Sequence, residues 1–329
     1  MPDLNLSIAV GDYDHIRDLT SGRVKAEGIA LSASHLPVEE MFFRFTKFQE
    51  WDMAEMSFAK SISILSQPDP WIALIPVFPS RAFRHSSMYV RADQAIRTPA
   101  DLAGKRIGVP EWAQTAAIYS RGMLASEYGI DLKGIDWVQA GVNDAGRREK
   151  VPLQRPPGLR CTPRPDRSLS DLLEQGDLDA VLSARAPRAF LEHPDRICRL
   201  FPNYREVEHA YWQKTGVFPI MHVIAIRRDT YERNRWIAGN LLRAFEEAKQ
   251  RSLARMADIT ASSVPLPWVA DYAAQSREIM GTDFWPYGIE ANRVTLETFC
   301  RYAWEQGITA RPMAPEDLFV PEVLQSVKV

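Results

Sequence analysis

The chain has 329 residues, of which 46% are hydrophobic and 25% are charged, and this is the usage of a soluble globular protein. Its 40 Lys and Arg against 42 Asp and Glu give a formal net charge of −2, which excludes the strongly basic surface that nucleic acids and anionic membranes select. A length above about 250 residues predicts two lobes or one large α/β domain.

Three further classes of protein are not expected. The apolar stretch "WIALIPVF" is interrupted by proline and falls short of the roughly 20 residues of a membrane-spanning helix. The start "MPDLNLSIAV" enters a strand pattern with no apolar export signal, so we expect a cytoplasmic protein. Cys161, Cys198 and Cys300 lack CxxC spacing or paired histidines, which indicates a reducing compartment and no zinc site.

Strand and helix patterns alternate along the first two thirds of the chain. The strand "LNLSIAV" precedes the helix "PVEEMFFRFTKFQEW", and the buried strand "DMAEMS" follows. Further on, the strand "KRIGVP" leads into a long helix that ends at Gly129. This alternation is typical of α/β folds with mostly parallel sheets.

Two strands near Met88–Val90 and Met221–Ile226 are predicted to cross between lobes. Lobe 1 is then discontinuous, with residues 1–88 and 224–329, and lobe 2 takes residues 89–223. The polar, proline-rich passage Val142–Arg167 is predicted to be a long surface loop.

A run of collinear segments carries a family resemblance. They are "YDHIRDL", "WDMAEMSFAKSISIL", "PVFPSRAFRHSSMYV", "LAGKRIGVPEWAQTAAIYSRGML", "WVQAGVNDAGRREK", "LLEQGDLDAVLSARAP", "PIMHVIAIRRD" and "DFWPYGI". The chain resembles the 4,5-dihydroxyphthalate decarboxylase family over nearly its whole length.

The resemblance implies a two-lobed fold of the type 2 periplasmic-binding-protein kind, with a ligand cleft between the lobes. It also implies the decarboxylation of a dihydroxylated benzene dicarboxylate to a dihydroxybenzoate without an organic cofactor. The expected partner is therefore a small aromatic dicarboxylate. Nucleic acid and membrane partners are not expected, and a homo-oligomer is left open.

Ligands of open α/β sheets bind beyond the carboxyl ends of strands, where this chain carries polar side chains. The loop after the first strand, "GDYDHIRDL", crowds together Tyr13, Asp14, His15 and Arg17. Ser57 follows "DMAEM" and is expected on the same rim.

The two predicted crossing strands each bring a histidine. Arg84, His85 and Ser86 come directly before Met88–Val90, and His222 lies in the otherwise apolar strand "IMHVIAI". If these strands form the hinge, both histidines face the ligand, although a lone histidine in a strand is often a core residue.

Lobe 2 supplies further candidates. In "GVPEWAQTAA", where a strand leads into a helix, Glu111 and Thr115 lie near backbone N–H groups that favour an anion, although both residues also suit a capping role. Arg147 and Arg185 follow later strands and could grip a carboxylate with two hydrogen bonds. Tyr287, in "FWPYGI", is a candidate for the pocket lining.

Decarboxylation of an aromatic ring needs a proton at the carbon that loses the carboxylate, an acceptor for the phenol and cations for the carboxylate that stays. Because imidazole titrates near neutrality, His85 and His222 are the candidate proton donors. Glu111 or Asp14 is the candidate acceptor, and Arg84, Arg147 and Arg185 are candidates for the retained carboxylate.

Two alternatives stay open at this point. A solute-binding receptor of the same fold would bind a small aromatic acid without chemistry, and the lack of an export signal weighs against it. A divalent metal could assist the reaction, but His15, His85 and His222 are scattered and no ligand set is predicted.

Overall fold

The computed structural model describes residues 2–324, which form two compact α/β units. The first unit takes the chain up to Arg81, residues 222–296 and the chain from Ala314 onward; the second takes Ala82–Met221 and Glu297–Met313. No helix within residues 2–324 is long and apolar enough to cross a membrane.

The secondary structure alternates as the sequence predicts. The strands are Leu4–Val10 (β1), Ile29–His35 (β2), Met53–Ser57 (β3), Ile72–Ile75 (β4), Met88–Arg91 (β5), Arg106–Val109 (β6), Asp136–Gly141 (β7), Arg160–Ser168 (β8), Ala180–Leu182 (β9), Ile197–Arg199 (β10) and His222–Arg227 (β11). The helices are Asp14–Thr20 (α1), Val38–Phe48 (α2), Phe58–Leu65 (α3), Thr115–Tyr128 (α4), Leu169–Gln175 (α5), Arg188–Glu192 (α6), Tyr204–Thr215 (α7), Arg228–Arg233 (α8), Ile237–Met256 (α9), Val269–Met280 (α10) and Arg293–Glu305 (α11).

The first unit is built on a five-stranded sheet of order β2-β1-β3-β11-β4. Strand β1 runs parallel to β2 and β3, whereas β11 runs antiparallel to β3 and β4. The carboxyl ends of β1 and β3 therefore lie beside the start of β11, where His222 pairs with Ser57. This register decides which polar side chains meet in the first unit.

The second unit is built on a six-stranded sheet of order β10-β5-β9-β6-β7-β8. Strands β6, β7, β8 and β9 are parallel neighbours, and β5 is antiparallel to β9 and β10. The core under this sheet is apolar, with Tyr89, Leu172 and Val181 among its buried members. Each unit thus has a mixed sheet, and the α/β class predicted from the sequence is confirmed.

The loop predicted for Val142–Arg167 is wrong over residues 160–167. Residues 160–168 form β8, which pairs in parallel with β7 and is the last strand of its sheet. Pro163 and Pro165 hid the strand, because proline disfavours central strands but is tolerated in an edge strand that bonds on one side only.

The unit boundaries also differ from the predicted lobes. The chain leaves the first unit at Arg81, so the stretch before β5 lies in the second unit. Residues 297–313 belong to the second unit as well: the rings of Phe299 and Tyr302 pack on Tyr119, and the Gln306 side chain accepts a hydrogen bond from Arg121 at 2.8 Å. The helical pattern in this part of the sequence gave no sign that residues 297–313 pack in the second unit.

Candidate functional site

The carboxyl ends of β1 and β3 gather polar side chains around one buried carboxylate. Glu55 is 0% exposed and lies in β3 among apolar neighbours. Its Oε2 accepts the Gly11 N–H at 2.9 Å, and its Oε1 accepts the Tyr13 hydroxyl at 2.7 Å. The same Oε1 lies 2.5 Å from Nδ1 of His222. Three donors thus satisfy a carboxylate that would otherwise be costly to bury.

Sheet register brings His222 to this carboxylate. His222 lies opposite Ser57, so Glu55, two residues earlier in β3, is its diagonal neighbour on the same face. Phe42 meets the imidazole edge-on, with ring centroids 5.0 Å apart. The second ring nitrogen, Nε2, makes no hydrogen bond to the part of the chain described, and the side chain is 18% exposed.

Gly11 allows Tyr13 to turn back onto Glu55. A Cβ at position 11 would lie 2.6 Å from Cε2 of the Tyr13 ring, so any larger residue would displace that ring. Burial, followed by the nearby charge of Glu55, raises the pKa of Tyr13 far above its usual range. Tyr13 therefore stays protonated and acts as a hydrogen-bond donor to Glu55.

His15 lies beside Tyr13 in a different environment. It is in the first turn of α1, which begins one residue after Tyr13 where the sequence predicts a loop. Its Nε2 lies 3.0 Å from the carbonyl oxygen of Pro79, and its ring packs between Tyr13 and Trp285, at centroid distances of 5.4 and 5.3 Å. Burial lowers the pKa of His15 to about 4, so the ring is neutral at physiological pH.

Asp14 and Arg17 form hydrogen bonds and ion pairs with other residues of the first unit. The Asp14 carboxylate accepts hydrogen bonds from Ser252 at 2.6 Å and Arg255 at 3.0 Å, both on α9. Burial by itself would raise the pKa of Asp14, but these two bonds, together with the charges of Arg255 and Arg17, outweigh it and lower the pKa. Arg17 pairs with Asp12 and Asp14 and is exposed. Their predicted ligand roles stay predictions, and the contacts of Asp14 tie α1 to α9.

Tyr287 is buried in the first unit at 6% exposure. Its ring meets Phe78 edge-on, and the Lys249 ammonium lies 4.8 Å from the ring centroid. The hydroxyl has no hydrogen-bond partner within residues 2–324, and burial raises its pKa well above the usual value. Its role as a pocket residue stays a prediction.

The second unit holds the other predicted histidine. His85 is 1% exposed and packs against Phe201 and Tyr211 at 5.2 Å each and against Tyr128 at 6.4 Å. Neither ring nitrogen has a hydrogen-bond partner among residues 2–324, and burial lowers the pKa of His85 to about 4. An aromatic interior offers no proton relay, so these surroundings do not support the predicted role of His85.

Arg84 and Ser86, which flank His85 in the chain, form hydrogen bonds within the second unit. The Arg84 Nε donates to the Met221 sulfur at 3.2 Å, and burial lowers the pKa of Arg84 to about 10. The Ser86 N–H donates to Glu208 at 3.1 Å. Neither contact tests a role in ligand binding, which stays a prediction for both residues.

Two of the remaining candidates of the second unit, Glu111 and Arg147, form an ion pair. Glu111 is 1% exposed and accepts Nε and Nη2 of Arg147, each at 2.8 Å, with the Lys150 ammonium at 3.5 Å. Thr115 begins α4 and is buried, whereas Arg185 is exposed just after β9. The structure brings Glu111 and Arg147 together; all four keep their predicted roles as predictions.

Sequence reasoning missed Glu55, although a signal was present. Glu55 is the one charged residue inside the strand Met53–Ser57, and a carboxylate in a fully buried strand needs donors to satisfy it. Those donors come from positions 44, 42 and 167 residues away along the chain, which no local pattern reveals. Among residues 2–324, no three His, Cys, Asp or Glu side chains are grouped so as to hold a metal ion.

Comparisons with known proteins support the predicted family and fold. A family model described as NMT1/THI5 like matches residues 77–148. The 4,5-dihydroxyphthalate decarboxylase of Comamonas testosteroni is 39% identical over 331 residues, covering 100% of both chains. The chain belongs to the 4,5-dihydroxyphthalate decarboxylase family. A second member, from Pseudomonas putida, is 40% identical over 203 residues, covering 61% of this chain and 78% of that protein.

Solved structures confirm the type 2 periplasmic-binding-protein fold for this decarboxylase family member. The periplasmic sulfonate-binding protein SsuA from Methylobacillus flagellatus matches with a TM-score of 0.57 at 16% identity, covering 98% of this chain and 94% of SsuA. The aliphatic sulphonate-binding protein SsuA from Escherichia coli matches with a TM-score of 0.54 at 12% identity, covering 98% and 99%. At these identities the likeness is one of fold alone.

Proposed function

We propose that this chain removes one carboxylate from 4,5-dihydroxyphthalate or a close analogue, giving 3,4-dihydroxybenzoate and carbon dioxide without a cofactor. The observation that carries the proposal is the Glu55–His222 pair, an imidazole bound at 2.5 Å to a fully buried carboxylate. The full-length identity of 39% to a decarboxylase of this name supports the substrate class.

The chemistry explains why a proton donor is the first requirement. A carboxylate on an aromatic ring leaves when its carbon gains a proton, because loss of carbon dioxide then returns the bonding electrons to the ring. A hydroxyl para to that carbon stabilises the protonated ring, so the substrate supplies its own electron source and no organic cofactor is needed. The protein must deliver one proton and hold the ring.

His222 is the proposed proton donor. Glu55 binds Nδ1 and so fixes the orientation of the imidazole, leaving Nε2 directed at accessible space. A carboxylate behind a histidine neutralises the charge that the ring carries in its acid form, as the aspartate does in hydrolase triads. Tyr13 and the Gly11 N–H hold Glu55 in turn, and are proposed as positioning groups.

The test is turnover by the purified protein. We expect carbon dioxide release and product absorbance with 4,5-dihydroxyphthalate, and a loss of about 100-fold or more in kcat for His222→Asn and for Glu55→Gln. Asp52→Asn is the matched control, because Asp52 also bonds a neighbouring strand, accepting the Ser7 N–H at 2.8 Å, but precedes β3 at its opposite end.

Two outcomes would contradict the proposal. Binding of aromatic acids without turnover would favour the solute-binding receptor, whose fold the SsuA proteins share. Turnover that is unchanged in His222→Asn would remove the histidine from the reaction. The thermal unfolding midpoint of each variant separates loss of chemistry from loss of fold.

A further inference from the structure

The neutral histidine beside the Glu55–His222 pair has a free acceptor atom. We propose that Nδ1 of His15 accepts the ring hydroxyl para to the departing carboxylate and takes its proton when the ring is protonated. This inference rests on the proposed decarboxylation and assigns its second catalytic residue, in place of Glu111 or Asp14.

The hydrogen bond to Pro79 fixes the tautomer of His15. A carbonyl oxygen can only accept, so Nε2, at 3.0 Å from the Pro79 oxygen, must carry the hydrogen. In a neutral ring the other nitrogen, Nδ1, then holds a lone pair. It is neither enclosed nor hydrogen-bonded to any residue from 2 to 324, and His15 as a whole is half-buried.

The surroundings of His15 keep it neutral. Its partner is an uncharged carbonyl, whereas the partner of His222 is a carboxylate. The aromatic rings of Tyr13 and Trp285 cover it, and Lys249 adds an unfavourable charge for the protonated form. The hydrogen bond to Pro79 and the charges of Glu55 and Asp14 act in the opposite direction, but burial outweighs them and lowers the pKa of His15 to about 4.

Tyr13 connects the two histidines. Its hydroxyl shares Oε1 of Glu55 with His222, and its ring lies 5.4 Å from the imidazole of His15. An acid and an acceptor thus flank the same residue in one unit. Because their hydrogen-bond partners differ, His222 is proposed as the acid and His15 as the acceptor. Paired acid and base groups in enzyme sites are set apart by their environments in the same way.

The step balances without a co-reactant. The Nε2–H proton of His222 adds to the ring carbon that bears the carboxylate, and a pair of ring electrons forms the new C–H bond. The para hydroxyl becomes strongly acidic and passes its proton to Nδ1 of His15, which leaves a neutral dienone. The C–C bond then breaks, carbon dioxide departs, its electron pair restores the ring, and the oxygen regains its proton from His15. Water reprotonates His222.

A weakly basic acceptor suits this step. An unperturbed phenol has a pKa of about 10, so the resting substrate does not give its proton to His15. The transfer becomes favourable only after the ring is protonated. The contribution of His15 is thus larger in the transition state than in the ground state, which is the condition for raising kcat.

The experiment combines variants of His15 with analogues of the product. Removing a carboxylate from the ring leaves the relevant hydroxyl at position 3 of the benzoate, so 3-hydroxybenzoate keeps the contact and 4-hydroxybenzoate lacks it. We expect wild type to bind 3-hydroxybenzoate roughly tenfold tighter than benzoate, the worth of one hydrogen bond. His15→Leu should lose this preference without changing the ratio for 4-hydroxybenzoate, and lose about 100-fold in kcat with 4,5-dihydroxyphthalate.

Two further variants complete the design. His15→Gln offers an amide oxygen and should keep part of the preference for 3-hydroxybenzoate, and it carries the test if His15→Leu does not fold. His35→Leu is the control, because His35 also bonds a backbone carbonyl, that of Val10 at 3.2 Å, at the end of the neighbouring strand β2. It should keep full activity and the full preference.

The outcomes separate this inference from the one beneath it. Suppose that wild type turns over the substrate and that both His15 variants keep the full kcat or the full preference for 3-hydroxybenzoate. This result would overturn the role of His15 and leave the proposed decarboxylation standing. No turnover by wild type would overturn the proposed function, and the catalytic role of His15 with it.

Discussion

Three histidines of this chain show how partners decide what an imidazole can do. His222 faces a buried carboxylate, His15 faces a backbone carbonyl, and His85 packs against aromatic rings. The first arrangement suits an acid, the second an acceptor and the third apolar packing. Residue type alone made all three candidates for proton transfer or ligand binding.

His85 makes the fold sensitive to acid. Burial lowers its pKa to about 4 in the folded protein, against about 6.5 in an unfolded chain. Between these two values the unfolded state binds more protons, so the free energy of unfolding falls as pH falls through this window. A shift of this size corresponds to about 3 kcal/mol for His85, and His15 adds an effect of the same sign.

The variant His85→Phe checks this effect. The loss of unfolding free energy between about pH 6.5 and about pH 4 should be smaller by about 3 kcal/mol in the variant than in wild type, as measured by urea unfolding at each pH. An equal acid sensitivity of His85→Phe and wild type would contradict the assignment.

At the scale of elements, one close helix crossing joins residues that are far apart in sequence. Gly122 lies in α4 where the ring of Tyr302 from α11 approaches, and a Cβ at this glycine would come within 2.2 Å of the ring. Glycine is therefore required by packing here, although it costs helix stability. The same contact draws residues 297–313 into the second unit.

A pair of glycine variants tests this crossing. Gly122→Ala should lower the free energy of unfolding by about 1–3 kcal/mol through overpacking. Gly239→Ala, in α9, meets only the end of the Arg243 side chain at 3.5 Å and should raise the free energy of unfolding by about 0.5–1 kcal/mol. Denaturant midpoints measure both, and a Gly122→Ala protein as stable as wild type would show that the two helices can separate without cost.

At the scale of the whole molecule, the fold does not decide between receptor and enzyme. The chain shares its architecture with sulfonate-binding proteins, and its sequence is 39% identical to that of a decarboxylase. Function is carried by side chains set on a shared scaffold, and those proposed here lie at the carboxyl ends of β1 and β3. An imidazole paired with a buried carboxylate is the feature that favours chemistry.

The proposed mechanism predicts indifference to chelators. Since the para hydroxyl of the substrate stabilises the protonated ring, the reaction as proposed needs no Lewis acid. Turnover of 4,5-dihydroxyphthalate should therefore be unchanged, within about twofold, after prolonged dialysis against a strong chelator. A tenfold loss would correspond to a rise of about 1.4 kcal/mol in the barrier. Activity that is lost on dialysis and restored by a divalent metal would contradict a metal-free reaction.

The sequence by itself determined the α/β class, the order of its elements and the family. Strand and helix periodicities are encoded within windows of a few residues, and collinear segments carry the resemblance, so both are readable without coordinates. It also drew attention to Tyr13 and His15, which follow the first strand, and to His222, the lone polar residue of an otherwise apolar strand. It failed at β8, where prolines suggested a loop although the strand lies at the end of its sheet.

Only the tertiary structure decided which of these side chains meet. Glu55 and His222 are 167 residues apart, and they touch because β11 inserts antiparallel beside β3 in one particular register. The same holds for His15, whose neutral state depends on burial against the distant Trp285 and whose tautomer depends on the carbonyl of Pro79. Sheet order and burial are properties of the folded chain, and proton chemistry follows from them.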